Sequence, residues 1–194
     1  TQSKCTSVGY DSLLSNTTGT RCTAVGFMAL RASTGVNNTA IGCNAGDSIT
    51  SGTENVCIGR YAQTSSATAS NEIVLGNNNH SALRCNVQTI SSLSDARDKT
   101  DVIDLPEGLN FINKLRPVKF KWDSRDGNGK DGLYEHGFIA QDLQTVQKEN
   151  NADYLNMVMD ENPNRLEASY GKLVPILVNA IKELSTKIKA LEAK

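Results

Sequence analysis

A triplet of one small residue, one apolar residue and glycine recurs five times in the first half of this chain. Gly19, Gly35 and Gly52 recur at the same interval, as expected where each coil turns through a left-handed backbone position. A coil of this length cannot bury an apolar face alone, so the repeat predicts a β-solenoid of stacked coils over residues 1–79. The triplets begin at Ser7, Ala24, Ala40, Cys57 and Val74, which are 16 or 17 residues apart.

The core of such a solenoid is expected to be thin, because aromatic residues make up only 5% of the chain. We expect an apolar ladder inside the solenoid, with one large side chain from each coil. The last coil, residues 71–79, departs from the small-residue pattern and is predicted to cap the stack. The predicted interior ladder consists of Val25, Ile41, Ile58 and Leu75.

Charge and cysteine patterns exclude several classes of function. The 20 basic and 21 acidic residues form no basic block, so a nucleic-acid partner is not expected. No apolar run is long enough for membrane insertion, and the chain starts at Thr1 without a targeting segment, as expected for part of a longer protein. The cysteines lack metal-ligand spacing, so we expect buried thiols from a reducing compartment, without a metal or cofactor. They are Cys5, Cys22, Cys43, Cys57 and Cys85.

The second half of the chain has the composition of an ordinary α+β domain. Residues 80–93 form a connector, and charged residues become frequent from Ser94 onward, so a domain over 94–194 is predicted. A capping pattern at Asp104 to Glu107 indicates a helix start. Predicted elements are helices at 104–115 and 140–148, strands at 118–122, 133–139, 155–159 and 165–168, and a turn at 126–129.

The chain ends in a predicted long helix over residues 170–194. Its apolar positions are spaced alternately three and four residues apart, which is typical of a coiled-coil seam. The alternative is a single amphipathic helix that packs on its own domain. The predicted seam consists of Val174, Leu177, Ile181, Leu184, Ile188 and Leu191.

Ser94 and Lys99 could form a self-cleaving pair at the start of this domain. A serine beside its own upstream peptide bond can attack the Leu93 carbonyl intramolecularly, and a neutral lysine can accept the hydroxyl proton. Residues five apart lie ~140° around a helix and on opposite faces of a strand, so the two side chains can meet only across a turn or between subunits. The alternative is that Ser94 caps a helix and Lys99 is a solvated side chain.

Three motifs together resemble the endosialidase-type intramolecular chaperone family. They are Ser94-Asp95-x-Arg97-x-Lys99, the segment His136 to Asp142, and the segment Leu173 to Leu184. The resemblance implies a domain that follows the β-structure of a phage tail fibre or spike, drives its homotrimer assembly and cuts itself off before the motif serine. The upstream repeat resembles the head repeats of trimeric autotransporter adhesins and tail-fibre repeats, in which three rolls pack side by side; a monomeric solenoid or a low-complexity linker is the alternative.

The resemblance also implies roles for single residues. Ser94 would be the nucleophile at the Leu93–Ser94 bond and Lys99 its general base, while Asp95 and Arg97 would organise the turn between them. In the second motif His136 and Gln141 would support the fold or the junction. Asp98 departs from the family pattern, and its carboxylate is expected to lie beside Lys99 and to slow cleavage by stabilising the charged amine.

The resemblance places the protein in the virion as a tail fibre or spike assembled in the host cytoplasm, with the released domain not retained. The repeat is then also a candidate for binding a host-cell surface receptor. Two alternatives stay open: a permanent trimeric adhesin or fibre tip that is never cleaved, and a membrane-tethered cellular regulator with the same releasing domain.

Overall fold

The computed structural model describes residues 4–86, 90–125 and 130–194. The chain divides into two compact units. The first contains the repeat up to Ala82 together with segments 122–133 and 161–165. The second contains the rest, including the junction at Ser94 and the carboxyl-terminal helix. The domain boundaries after residues 79 and 93 stay predictions.

The repeat forms the predicted parallel β-solenoid. Each glycine-ended triplet contributes to one strand, and each strand pairs with that of the next coil, so that Ser7, Ala24, Ala40, Cys57 and Val74 are aligned in one row. From the second coil onward, the amide of each triplet glycine donates to the preceding coil, as Gly42 does to the Val25 carbonyl at 2.8 Å. The five strands are β1 (Thr6–Val8), β2 (Thr23–Val25), β3 (Thr39–Ile41), β4 (Val56–Ile58) and β5 (Ile73–Leu75).

The predicted interior ladder was wrong by one residue. Ala24, Ala40 and Cys57, at the middle of their strands, are fully buried, whereas Ile41, Ile58 and Leu75 face outward. Successive side chains of a strand point to opposite faces, so a shift of one residue exchanges the inside for the outside. The small residues are buried because the coil is narrow. Its interior has room only for Ala or Cys beside the strands, and Leu30 and Ile49 fill the remaining interior volume.

The left-handed backbone predicted at Gly19, Gly35 and Gly52 was wrong. Positive φ occurs instead at the triplet glycines, such as Gly42 with φ of 134°, and at several non-glycine residues, among them Asn37. Gly19, Gly35 and Gly52 are needed instead for close approach between coils. A Cβ built on Gly35 would lie 1.9 Å from the Gly52 carbonyl oxygen.

One buried row that joins successive coils contains a cysteine followed by two asparagines: Cys22, Asn38 and Asn55. Asn38 donates to the Gly52 carbonyl at 2.7 Å, and its Oδ1 accepts the Asn55 amide at 3.0 Å. One coil earlier the Cys22 thiol donates to the Gly35 carbonyl at 3.3 Å, so it fills the place of the asparagine side chain. The cysteines of the described residues are free thiols, and Cys22 and Cys57 are buried.

The second unit is built around an ordinary mixed core. A hairpin of two strands precedes a helix, a short second hairpin follows, and a long helix ends the chain. The core residues come from distant segments and include Phe111, Leu143, Met157 and Ile176. The elements are α1 (Leu109–Ile112), β6 (Val118–Lys121), β7 (Tyr134–Gly137), α2 (Ala140–Glu149), β8 (Val158–Met159), β9 (Glu167–Ala168) and α3 (Leu173–Glu192).

Most predicted elements of this unit are present, but the first helix begins later than predicted. The sequence indicated a cap at Asp104, whereas α1 begins at Leu109. Glu107 does not reach back along the helix, because its buried carboxylate accepts the Tyr154 hydroxyl. The predicted turn at 126–129 lies outside the described residues.

Helix α3 presents two different apolar surfaces. Leu173, Ile176 and Ala180 are buried against its own unit. The predicted seam is a separate surface, whose side chains are exposed, as Ile181 is at 64%. Every residue from 181 to 194 is exposed, and none of the apolar side chains in the second half of the helix is buried by the described residues.

Candidate functional site at the Leu93–Ser94 junction

A single turn of 3₁₀ helix at Ala96–Asp98 shapes the junction. Asp95 is its cap, so the residue that caps the turn is not Ser94. The Asp95 carboxylate accepts the Arg97 amide at 2.9 Å and the Arg97 guanidinium at 3.0 and 2.6 Å. Both residues therefore take part in the hydrogen bonds of this turn, and their role in a reaction stays a prediction.

The pairing with Arg97 also sets the charge of Asp95. Hydrogen bonds from the Arg97 side chain, and then from its backbone amide, lower the pKa of the Asp95 carboxyl below its usual value. The turn is consequently held by an ionised carboxylate at neutral pH. A lowered pKa means that this contribution is lost as pH falls through the acid range below about 4.

The turn brings Ser94 and Lys99 into direct contact within one chain. The Lys99 Nζ donates to the Ser94 Oγ at 2.6 Å and to the Ser94 carbonyl oxygen at 3.3 Å. Of the two geometries open to residues five apart, the structure has the one across a turn. The distance is within the range required for proton transfer between a nucleophile and its base.

The junction is open to water on all sides in the single chain. Leu93, which contributes the carbonyl of the candidate scissile bond, is 98% exposed. Ser94 and Lys99 are exposed as well. Among the described residues no ion pair joins Lys99 to Asp98, so the contact expected from the departure at Asp98 is absent.

The second motif lies away from this contact. His136 is exposed on β7, where it pairs with Lys119, and Gln141 is exposed in the first turn of α2. Within the described parts of the chain, no hydrogen bond joins either side chain to Ser94 or Lys99. The neighbouring Asp142 instead forms an ion pair with Arg116 at 2.6 Å, which ties α2 to the segment before β6.

The third motif contributes two polar contacts that the sequence reasoning missed. Asn179 donates to the carbonyls of Leu105 and Glu107, and the Glu183 carboxylate accepts the Leu109 amide at 3.3 Å. These contacts attach α3 to the chain that leaves the junction. The available signal was the pair of polar residues four apart on the face of α3 that packs against its own unit.

Tyr154 is an exposed residue whose hydroxyl contacts the buried Glu107. Desolvation of that hydroxyl, and then its hydrogen bond to Glu107, raises the pKa of Tyr154 to about 12. The neutral phenol can donate to Glu107 throughout the physiological range. The pair therefore acts as a structural link, and neither group lies at the junction.

The described residues contain no cluster of three or more His, Cys, Asp or Glu side chains that could hold a metal ion. Nor does any helix among them combine the length and apolar character needed to cross a membrane.

Comparison with known families gives one match. Residues 94–151 match the family described as chaperone of endosialidase. The match confirms the resemblance for the first two motifs, and the third lies beyond the matched residues. No curated protein and no solved structure matches the chain. Residues 94–151 are thus similar to that family, and the first matched residue is the serine in contact with Lys99.

Proposed function

We propose that residues 94–194 act as the intramolecular chaperone of a viral tail fibre or spike, direct homotrimer assembly of the upstream solenoid and cut the Leu93–Ser94 bond. The observation that carries the proposal is the 2.6 Å contact between Lys99 Nζ and Ser94 Oγ at the first residue of the matched segment. The solenoid before it is the kind of β-structure that such a chaperone serves. The fibre would assemble in the host cytoplasm and remain in the virion.

The chemistry is a single intramolecular acyl transfer followed by hydrolysis. The Ser94 Oγ attacks the Leu93 carbonyl carbon as its proton passes to a neutral Lys99 amine, and the C–N bond breaks when the new ester forms. The proton moves to the leaving Ser94 amine, and water then hydrolyses the ester to a Leu93 carboxylate and the free hydroxyl. Because nucleophile and carbonyl belong to adjacent residues, no substrate has to be bound.

Assembly provides the timing of this reaction. An ordinary lysine has a pKa of about 10.4, so less than roughly one in a thousand is neutral at pH 7. In the single chain Lys99 is exposed to water and donates a hydrogen bond to the Ser94 hydroxyl. Withdrawal of an ammonium group from water favours its neutral form, so burial of the junction between three chains would start the cut.

The exposed seam of α3 supplies the means of assembly. Its side chains repeat at heptad spacing, and none of those beyond residue 180 is buried by its own unit. A helix with such a seam gains stability by packing against copies of itself. The seam accordingly supports a homotrimer joined through α3.

The test compares the unmutated chain with Ser94→Ala and Lys99→Met by intact mass spectrometry, with native mass from light scattering. We expect fragments 1–93 and 94–194 from the unmutated chain alone. Ser92→Ala is the matched control, since it replaces another exposed serine of the same connector and should leave cleavage unchanged.

The results separate the two open classes of function. An intact trimer from every variant would identify a permanent trimeric fibre tip and overturn the autoprotease. An intact monomer from every variant would overturn the chaperone as well. Cleavage that persists in Ser94→Ala would assign the nucleophile to another residue.

A further inference from the structure

Two cysteines occupy the same place on neighbouring coils of the solenoid. Cys5 and Cys22 directly precede β1 and β2, whose paired residues begin at Thr6 and Thr23. The Cys22 amide donates to the Cys5 Sγ at 3.3 Å, so the sulfur of one cysteine contacts the backbone of the other. Neighbouring strands lie about 4.8 Å apart, and a disulfide needs Cα atoms about 4.4–6.8 Å apart. The backbone spacing at this pair therefore suits a disulfide, and rotation of the two side chains is enough to form it.

The alignment of this pair distinguishes it from the buried cysteine of a later coil. Cys57 is paired with Ala40 in the preceding strand and with Val74 in the following strand, so neither aligned neighbour is a cysteine. Cys57 is a free thiol of the same solenoid, as Cys5 and Cys22 are. It therefore serves as an internal comparison for any reaction that depends on two sulfurs on adjacent coils.

Hydrogen bonding alone does not require sulfur at this pair. The Cys5 and Cys22 thiols donate to glycine carbonyls at 3.5 and 3.3 Å. Further along the same row, the Asn38 and Asn55 side chains donate to backbone carbonyls at 2.7 and 2.8 Å. A thiol is the weaker donor, so asparagine would serve the first two places of the row at least as well. Sulfur adds one property that asparagine lacks, which is oxidation to a disulfide.

We propose that Cys5 and Cys22 form a reversible disulfide that joins the first two coils of the solenoid. The thiols stay reduced while the chain folds in a reducing cytoplasm, and the bridge forms when the protein meets a small-molecule disulfide outside the cell. Only this timing rests on the proposed function, which places assembly in the host cytoplasm. The bridge closes the whole first coil into a loop, so it restricts separation of the two coils.

The bridge forms by two successive thiol–disulfide exchanges with a compound such as oxidised glutathione. Cys5 is half-buried and Cys22 is buried, so the Cys5 thiolate is the first to attack a sulfur of the small disulfide, and one glutathione leaves. The Cys22 thiolate then attacks the Cys5 sulfur and displaces the second glutathione. Each displaced glutathione takes up the proton that the attacking thiol has lost. The two protein thiols are thus oxidised to one disulfide, and the small disulfide is reduced to two thiols.

Peptide mapping after treatment with oxidised glutathione tests the bridge. The full chain carries Cys43→Ser and Cys85→Ser, which removes links between molecules through these two thiols. Free thiols are blocked with N-ethylmaleimide in denaturant, and trypsin then separates the two cysteines by cutting the chain into peptides 5–21 and 22–31. We expect these peptides as one disulfide-linked species from the folded protein, and we expect Cys57 to be blocked by maleimide.

Cys5→Asn is the matched variant, because Asn38 already occupies the equivalent place in this row. It should fold and leave Cys22 free. In the unmutated pair, the bridge should slow hydrogen exchange of the β1 and β2 amides at least about tenfold, and a reductant should reverse the change. Unchanged exchange in the bridged protein would overturn the view that the disulfide restricts the two coils.

The distribution of links decides whether the pair is a site. Oxidation that stops at glutathione on Cys5, or links that join Cys57 as often as Cys22, would overturn the bridge. Intact mass and native mass of the same samples report the proposed function separately. A bridge in a chain that neither cuts itself nor forms trimers leaves this site standing, whereas cleaved trimers without a bridge overturn the site and leave the proposed function standing.

Discussion

The two units of this chain bury apolar side chains in opposite ways. The solenoid core consists mainly of alanine and cysteine, with Leu30 and Ile49 as its largest members. The second unit instead combines a few large side chains from distant segments, among them Phe111 and Ile176. One unit is thus held by repetition of a narrow coil, and the other by complementary volumes.

The difference determines where each unit is sensitive to substitution. In the solenoid, neighbouring coils are linked by backbone hydrogen bonds of about the same length at every step, so the spacing between coils cannot relax at one position. In the second unit a missing side chain leaves a cavity whose cost depends on how far its neighbours can move. In the solenoid, substitutions should be most destabilising at Gly19, Gly35 and Gly52, where the coils approach closely. In the second unit, they should be most destabilising at the large core residues.

Gly35→Ala should destabilise the chain more than any truncation in the second unit. The new Cβ would lie 1.9 Å from the Gly52 carbonyl oxygen, which Asn38 already holds by a 2.7 Å hydrogen bond. Because the obstacle is backbone, we expect the solenoid not to form, which corresponds to a loss well above about 3 kcal/mol. Hydrogen exchange of the β2 to β4 amides measures it directly.

Gly171→Ala is the matched control for this prediction. A Cβ at Gly171 meets nothing within 4 Å, so its stability should change by less than about 0.5 kcal/mol. Unchanged exchange in the Gly35→Ala solenoid would show that the coils can separate locally, and the comparison between the two units would fail.

Ile176→Ala and Ile188→Ala should have the next largest effects, and they differ in kind. Ile176 is fully buried in its own unit, so its truncation should cost about 2–5 kcal/mol at any protein concentration. Ile188 is 52% exposed on the seam, so its truncation should matter only through assembly. Its effect should therefore grow on dilution, as mass action requires.

Denaturant unfolding, followed by the helical circular dichroism signal over a hundredfold range of concentration, distinguishes the two substitutions. If Ile188→Ala lowers the free energy of unfolding by the same amount at every protein concentration, the seam packs within the single chain. Helix α3 would then be the amphipathic helix that the sequence left as the alternative.

The comparison also explains how far the sequence could predict the fold. The period and the glycine positions predicted the solenoid and the number of its strands, because the same triplet occurs once in each of five coils. The prediction of which face of each strand is buried was wrong. Val25 and Ala24 are both compatible with an interior position, and only the width of the coil decides which of them is buried. The width of the coil depends on the backbone conformation at its corners, and the sequence of one repeat does not determine that conformation.

The junction shows a similar division. The spacing of Ser94 and Lys99 predicted that they could meet across a turn, and the Asp95 cap creates that turn. The support from Asn179 and Glu183 was missed because it joins residues more than 70 positions apart. Such contacts depend on how α3 packs, and local patterns do not contain that information.

Alkaline pH should destabilise the solenoid through a buried thiol in its core, an effect smaller than those of the substitutions above. Burial, and then the charge of Glu72, raises the pKa of the Cys57 thiol from 9.0 to about 11. The folded state therefore keeps the thiol neutral while the unfolded chain ionises first. The corresponding stability is complete below pH 9 and is lost as pH rises from 9 to about 11.

Cys57→Ala removes this titration at little steric cost, because Ala40 occupies the same place one coil earlier. Other groups titrate in the same range, so the informative quantity is the difference in unfolding free energy between the two proteins, measured from pH 7 to 11. We expect that difference to be constant up to about pH 9 and then to shift in favour of the alanine variant. Parallel curves across the whole range would mean that water reaches the Cys57 thiol in the folded solenoid. The solenoid core would then be accessible to water at Cys57, and the contrast with the tightly packed core of the second unit would not hold.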